Sequence, residues 1–434
     1  MADSKELTPD EMNMVIEANK MTYTKAMNSS LINTRQMREY NFSPQTYLAG
    51  SGSGSAEIVL NSGSDYIYGP GSYLRFTVQA VTTDGISAPA GPCQFGINGQ
   101  SIGNSAVNLF RTATVTHRSG DQVDRVTNLN VLAPALLSWA NDGEYSEKYV
   151  QSLGGRVADG TWDNLITPTT YCVPLWLISG LFAQEALLPG NLMGGMKLSL
   201  EFDGIGNILS ANNGGVFCRI TNMTCVLDSF QPFDSVVSSL NEAQANVKGQ
   251  GLQYNFYGYH NVSKNESTSD FNFDVAFSAG NVSQLLLKTR ASAVIGDDTA
   301  DSLGAEQYLY ENVQARLGSL TFPRHLLTAA AESYVQSNKS FDSHPVLDLI
   351  DCKKSSVGVS YSDYIASNKG VGIVAWDMEK NQVLKGTSGE LTNNSRLLNV
   401  QGRWSGAAAA RKVDIWVKHM RVVNVMMDNV VVDR

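Results

Sequence analysis

From Ala56 to the carboxyl terminus the apolar residues fall at every second position, in short runs separated by clusters of Gly, Asn, Ser and Asp. A period of two sends successive side chains to opposite faces of an extended chain, so these runs read as antiparallel strands with one face in a core. In the first half the predicted strands are Ala56–Leu60, Tyr73–Thr82, Val107–Thr116, Tyr171–Leu177, Met196–Phe202 and Phe217–Asp228. In the second they are Leu252–Tyr259, Phe271–Ser278, Ser283–Arg290, Ala315–Thr321, Val371–Trp376, Arg396–Trp404 and Val413–Met427, the last continuing toward Val430–Val432 as the closing strand. Two segments carry a helical period instead. These are Gln122–Ala140, through Val123, Val126, Leu129, Leu136 and Leu137, and Arg324–Ser337, through Leu326, Leu327, Ala330, Ala331 and Tyr334. Pro134 is expected to kink or end the first.

The halves repeat one another. At an offset of 197 residues, Leu74, Phe76 and Val78 fall on Phe271, Phe273 and Val275, and Ile220-Thr221-Asn222-Met223 falls on Val417-Lys418-His419-Met420. The helical segment around Leu129 falls on the one around Leu326. Strands, helix and final strand in one shared order are what tandem duplication of a β domain leaves behind. The division falls in the polar stretch Ser238–Gly249, giving one β unit over 46–240 and a second over 241–434.

Residues 1–45 read differently. Thr8-Pro9-Asp10-Glu11 has the form of a capping box with Pro at the first helical position, and Met12, Val15, Ile16 and Met27 follow on an irregular apolar face. This predicts a helix over 9–27 and then an extended arm. A methionine-rich face suits an adaptable docking surface and equally a helix packed on its own domain. Gly50-Ser51-Gly52-Ser53-Gly54-Ser55 lacks the closing Lys-Ser/Thr and following helix of a phosphate loop, so it reads as a flexible lead-in.

Charge narrows the functional classes. The chain of 434 residues has Lys+Arg 32 against Asp+Glu 41, a net charge of −9, with no basic block. That argues against wrapping naked nucleic acid, and no direct sequence-specific nucleic-acid binding is expected. No apolar run is long enough for a membrane span, and Met1–Lys5 opens polar, without the pattern of a secretory signal. Synthesis in a reducing compartment is the expectation. The five cysteines, Cys93, Cys172, Cys218, Cys225 and Cys352, are odd in number and lack a CxxC pair. They read as buried small apolar residues rather than a disulfide framework or zinc knuckle.

Catalysis has no visible address. His117, His260, His325, His344 and His419 do not pair at metal-ligand spacing, and HExxH, P-loop and GxGxxG motifs are all missing from the sequence. Thr116-His117-Arg118-Ser119-Gly120-Asp121 brings base, hydroxyl and acid together, but neighbours along a strand point to opposite faces, poor geometry for a triad. Ser119-Gly120-Asp121 reads better as a turn and N-cap opening the next helix. The run Val173-Pro174-Leu175-Trp176-Leu177-Ile178, with Leu181-Phe182 and Leu187-Leu188-Pro189-Gly190, reads as core or as an inter-domain or subunit seam.

These residues carry a resemblance. Tyr171-Cys172-Val173-Pro174-Leu175-Trp176 through Gly180-Leu181-Phe182, then Leu187-Leu188-Pro189 before Met196–Phe202, resembles the end of the first barrel in double jelly-roll major capsid proteins. Leu317-Gly318-Ser319-Leu320-Thr321-Phe322-Pro323-Arg324, followed by Ala331-Glu332-Ser333-Tyr334 and Lys339-Ser340-Phe341, resembles the strand-to-helix segment of the second barrel. The likeness is to the capsid proteins of virophages, polinton-like viruses and related eukaryotic DNA viruses, and covers residues 45–434. It implies an all-β chain of two tandem eight-stranded antiparallel jelly-roll barrels with short helices in the connections and an N-terminal helical arm. It further implies pseudo-hexagonal homotrimeric capsomers in an icosahedral virion shell, with neighbouring capsomers and penton and minor capsid proteins as partners. Synthesis in the host cytoplasm without a signal peptide goes with it. The same likeness implies no catalytic, cofactor-binding or metal-ligating residues and no cofactor. The extended tower insertions of the large-DNA-virus members have no counterpart here. Beside this reading the residues leave open a two-domain β-sandwich carbohydrate- or receptor-binding protein, and a hydrolase whose paired carboxylates meet only on folding.

Overall fold

The computed structural model describes residues 32–433 apart from 51–53, 96–103, 140–151, 156–162, 185, 205–207, 212–214, 235–236, 239–251, 298–299, 301–302, 342–358, 366–370, 381–388, 393–396, 406–407 and 426–429. The first unit runs through β1 (Ile32–Asn41), β2 (Thr46–Ala49), β3 (Ser55–Leu60), β4 (Tyr66–Thr82), β5 (Phe110–Thr116), β6 (Gln122–Thr127), helix α1 (Leu129–Trp139), β7 (Thr169–Pro174), β8 (Met196–Phe202) and β9 (Val216–Pro232). β1 and β2 lie end to end along β9 and fill one position. One antiparallel sheet has the order β1/β2, β9, β4, β7, and the other β3, β8, β5, β6.

The second unit repeats this winding with β10 (Leu252–Glu266), β11 (Asp270–Val275), β12 (Ala279–Ala291), β13 (Tyr310–Leu317), β14 (Leu320–Leu327), α2 (Ala330–Ser340), β15 (Val374–Asp377), β16 (Leu398–Trp404) and β17 (Arg411–Val425). Its sheets run β10, β17, β12, β15 and β11, β16, β13, β14. Val430–Asp433 folds back on the end of β17. In both units the first, eighth, third and sixth strand positions make one sheet, and the second, seventh, fourth and fifth make the other. That is the jelly-roll winding, so the chain is an all-β double jelly roll of two eight-stranded barrels in tandem.

The alternation seen in the sequence builds the cores. Ala56, Ile58 and Leu60 on β3 face inward between the outward Ser55, Glu57 and Val59, as do Met196, Leu198, Leu200 and Phe202 on β8 between polar neighbours. Phe110 joins the sheets, its ring 5.7 Å from Phe76 and 5.9 Å from Phe202. Phe271, Phe273, Val313, Val400, Trp404 and Ile415 do the same in the second barrel. The first core continues without a break into the second unit through Phe256, Leu286, Phe341, Tyr364 and Trp416.

Several expectations are corrected. The predicted helices Gln122–Ala140 and Arg324–Ser337 each begin with a strand, β6 and β14, and only then turn helical. In β6 both Val123 and its neighbour Asp124 are buried, because the register shifts by one residue between Gln122 and Asp124, and Asp124 is covered by Arg421 of the second barrel; the alternation is broken there. Pro134 does not end α1, which runs on to Trp139 with ten of its eleven residues buried, so packing holds it through the proline. The repeat laid Leu74–Val78 on Phe271–Val275, yet the former belong to the third strand position and the latter to the second. Connections of unequal length shift the spacing along the chain. Ile220–Met223 and Val417–Met420 do share the eighth position.

Residues 32–45 are not a free arm: β1 is bonded along β9, with Arg35 forked on Asp228 at 2.9 and 2.7 Å. The helix expected over 9–27 lies outside the described residues, as do Cys352 and nearly all of the Ser238–Gly249 division. Cys93, Cys218 and Cys225 are buried as expected, whereas Cys172 is exposed on β7.

Candidate functional site

The contact between the barrels is the most heavily built feature outside their cores. On the first barrel it is formed by β6, α1 and the segment 175–188, and on the second by β10, β17, β12 and α2. Asn128 makes the corner between β6 and α1 at a positive φ of 51°, which asparagine tolerates, and its carbonyl receives the amides of Val131 and Leu132. Trp139 then projects from the last turn of α1 into an aromatic nest of the second unit. Its ring lies 5.4 Å from Phe341, 5.6 Å from Tyr364 and 5.9 Å from Tyr334, and its Nε1 donates to the Val371 carbonyl at 3.3 Å. The predicted seam run is here: Leu175, Ile178, Leu181, Phe182 and Leu188 are all fully buried. Gly180 lies so close to β10 that an added Cβ would sit 1.9 Å from the Tyr257 carbonyl oxygen.

Polar groups cross this apolar seam at fixed points. Asp124 on β6 accepts from Arg421 of β17 at 3.1 Å and from Ser179 at 2.5 Å. Both ions are sequestered, with side chains 1% and 9% exposed. Burial pushes the Asp124 carboxyl up, opposed by the charge of Arg421 and the Ser179 hydroxyl. Lys288 reaches across to donate to the Val131 carbonyl at 3.0 Å, and the Asn128 amide donates to Asn261 at 2.7 Å and Ser263 at 3.0 Å. A cleft of about 570 Å³ runs along the seam between Leu132, Leu136, Trp176, Phe256 and Tyr259.

The residues considered for catalysis do not form a catalytic set. In the turn from β5 to β6, His117 Nδ1 meets Ser119 Oγ at 2.9 Å and Ser119 Oγ donates to Asp121 at 2.7 Å. The three side chains therefore do meet, against expectation, but the hydroxyl stands between base and acid and gives its proton to the acid. A hydrolytic triad needs the imidazole in the middle. The turn, with Gly120 at φ 94°, opens strand β6 and not a helix. Burial lowers the basicity of His117. His325 is exposed on β14, His344 lies outside the described residues, and His260 and His419 flank Phe277 at the seam. Among the described residues, no three His, Cys, Asp or Glu side chains converge as a metal site, and no helix is long and apolar enough to cross a membrane.

Sequence reasoning missed the edges. Inside the seam, the fifth-position strand of the first barrel, β6, meets the first-position strand of the second, β10. Among the described residues, the equivalent strands at the two ends of the molecule are uncovered. β14 exposes Leu320 and Leu326, at 41% and 42%, and β1 exposes Met37 at 51%. Only strand position, which depends on the closed topology, reveals that these two open edges correspond to the two halves of the covered one.

Two jelly rolls joined flank to flank through a buried seam define the double jelly-roll architecture, and solved structures share it over nearly the whole chain. The Faustovirus major capsid protein matches with a TM-score of 0.63 at 8% identity, covering 96% of this chain and 94% of that one. The PBCV-1 VP54 structure fitted into a reconstruction of the virophage Sputnik matches at 0.60 and 11% identity, over 95% and 100%. The mavirus major capsid protein matches at 0.50 and 11%, over 100% and 96%. No protein-family model and no curated sequence matches the chain.

Proposed function

We propose that this chain is a major capsid protein that assembles as pseudo-hexagonal homotrimers and, through them, an icosahedral virion shell. The observation that carries the reading is the pairing of a covered seam with two uncovered edges of the same kind. A head-to-tail contact that exists once within the chain, and is left open at both ends, is a heterologous contact able to repeat between copies. It closes into a ring when the rotation per barrel fits. With two barrels per chain, three copies give six barrels around one axis. The fold shared with the Faustovirus and mavirus major capsid proteins supports the same conclusion.

The role is structural and not catalytic, exercised in the virion, with neighbouring capsomers and penton and minor capsid proteins as partners. The barrels divide as 46–240 and 241–434, with β1 (Ile32–Asn41) added to the first and the helix over 9–27 as an appendage. Synthesis is in the host cytoplasm. The test is the solution mass of the purified chain by light scattering, with negative-stain images of the same peak. The expected particle is about 141 kDa, three times 47.0 kDa, with a six-lobed outline. A 47.0 kDa species that stays monomeric as concentration and salt are varied overturns the reading.

A further inference from the structure

A second cleft, of about 530 Å³, opens where the end of the second barrel meets β6, and its wall is cationic and aromatic in an otherwise acidic chain. β10 and β17 pair so that Gly258 stands opposite His419 and Phe256 opposite Arg421. Opposed residues share a face, and so do alternate ones, which puts His260, His419 and Arg421 on one side of the pair. Gly258 makes the space. A Cβ there would lie 2.7 Å from Arg421 Cδ and 3.2 Å from His419 Cε1. Phe277 orders the two imidazoles, lying parallel to His260 at 4.3 Å and edge-on to His419 at 4.7 Å.

The polar groups in this wall are incompletely used. Arg421 is 7% exposed; one of its terminal nitrogens is bonded to Asp124, and among the described residues its Nε has no hydrogen-bond partner. A buried donor left unmet is costly, and the usual resolution is a ligand or ordered solvent. Arg125, from β6, is exposed on the same cleft and has no ion-pair partner among the described residues. His419 Nδ1 lies 3.3 Å from the Gly258 carbonyl, which can only accept, so Nδ1 carries the proton and Nε2 gains one only on acidification.

We propose that this cleft is an oxyanion site, taking a phosphate, sulfate or carboxylate group between Arg421 Nε, Arg125 and the His260–His419 pair. It needs no part of the shell reading. The charged groups facing the imidazoles are Arg421 and Arg125, which oppose their protonation, and Asp124, which is engaged by Arg421 and Ser179. Burial holds His260 below the usual histidine range, and burial together with Arg421 and His260 lowers His419 to about 4. A bound anion offsets these effects, so binding tightens as pH falls below about 6. The cleft's volume also admits an oxyanion carried on a larger body, with Phe277 at its wall.

The test is calorimetric titration of the full chain, in chloride buffers at pH 7.0 and 5.5, with inorganic phosphate and separately with phenyl phosphate. Histidine ring resonances are followed in parallel. Saturable binding that strengthens about tenfold between the two pH values is expected, with only the His260 and His419 signals moving. Tighter binding of phenyl phosphate identifies a carried group, and equal binding a free ion. Arg125→Gln, at an exposed position, should weaken binding about threefold while leaving the His325 resonance in place. Gly258→Ala, which crowds Arg421 and His419, should abolish it. No saturable binding, or binding unchanged in both variants and therefore an adventitious ion only, overturns the proposal.

Discussion

Replacing Trp139 with alanine tests whether the seam is a structural joint or a passive contact. The indole is fully buried and belongs to the first barrel, while Phe341, Tyr334, Tyr364 and the Val371 carbonyl around it all belong to the second. Truncating a buried tryptophan costs about 3–5 kcal/mol through lost transfer energy and the cavity left behind. Losing the indole N–H bond to the Val371 carbonyl, which still accepts from the Ile373 amide, adds about 0.5–1 kcal/mol. The sum, about 5 kcal/mol, falls mainly on the coupling between barrels, because the ring's aromatic neighbours and its hydrogen-bond partner all belong to the second unit. Urea unfolding followed by circular dichroism should therefore move from one transition toward two, with the midpoint of the first well below that of the parent. Hydrogen exchange should accelerate in α1 and α2 while β8 stays protected. Trp139→Phe, which keeps a ring against Phe341, should recover more than half of the loss. A single transition within about 1 kcal/mol of the parent would refute the reasoning, since the seam would then contribute little to holding the units together.

Three further outcomes follow from the same geometry. Asp124→Asn and Arg421→Met should each cost about 3–5 kcal/mol, because each leaves a buried partner behind, whereas the double variant should cost far less than their sum; additive midpoint shifts in denaturant would sink the pair's assignment. His419 is held at about 4 in the folded chain against about 6.5 when unfolded, so its contribution is present above pH 6.5 and lost as pH falls toward 4. In buffers free of oxyanions that amounts to up to about 3 kcal/mol, and His419→Gln should flatten this part of the stability profile; identical parent and variant slopes would count against it. Gly180→Ala should destabilise by at least about 2 kcal/mol, since the obstruction is the Tyr257 backbone and not a side chain that can rotate away. A parental melting temperature would show that β10 can yield there.

Most of the barrel was legible from residue alternation, and the failures have a common cause. Met196–Phe202 was found to the residue because one face meets the core and the other water. β6 reads as helix in the sequence because a register shift buries the adjacent Val123 and Asp124 together, the latter on Arg421 of the second barrel, which the local sequence does not announce. β1 was missed because its outward positions are polar and its stability comes from bonding to β9, nearly two hundred residues further along. The segment from Val173 to Gly190 announces a seam by its near-continuous apolarity, but Asp124, Arg421, His260 and His419 give no local sign of meeting. Register across β10 and β17, and the room left by Gly258, bring them together. Both depend on the closed fold.

The polar pegs in the seam also bear on how the chain avoids assembling wrongly. Two greasy flanks adhere in many alignments with nearly equal gain, so apolar area alone would let a barrel settle a few ångströms out of true or clasp the wrong neighbour during crowded synthesis. Lys288 finds the Val131 carbonyl, Arg421 finds Asp124 and Asn128 finds Asn261 only in one alignment. Any slip buries an ammonium, a guanidinium or an amide against hydrocarbon, at about 1–3 kcal/mol or more for each group left unmet. The joint thus behaves as a keyed coupling, in which grease supplies adhesion and the keys reject misfit, so that two near-duplicate barrels made in one cell sort themselves before any larger structure begins to form.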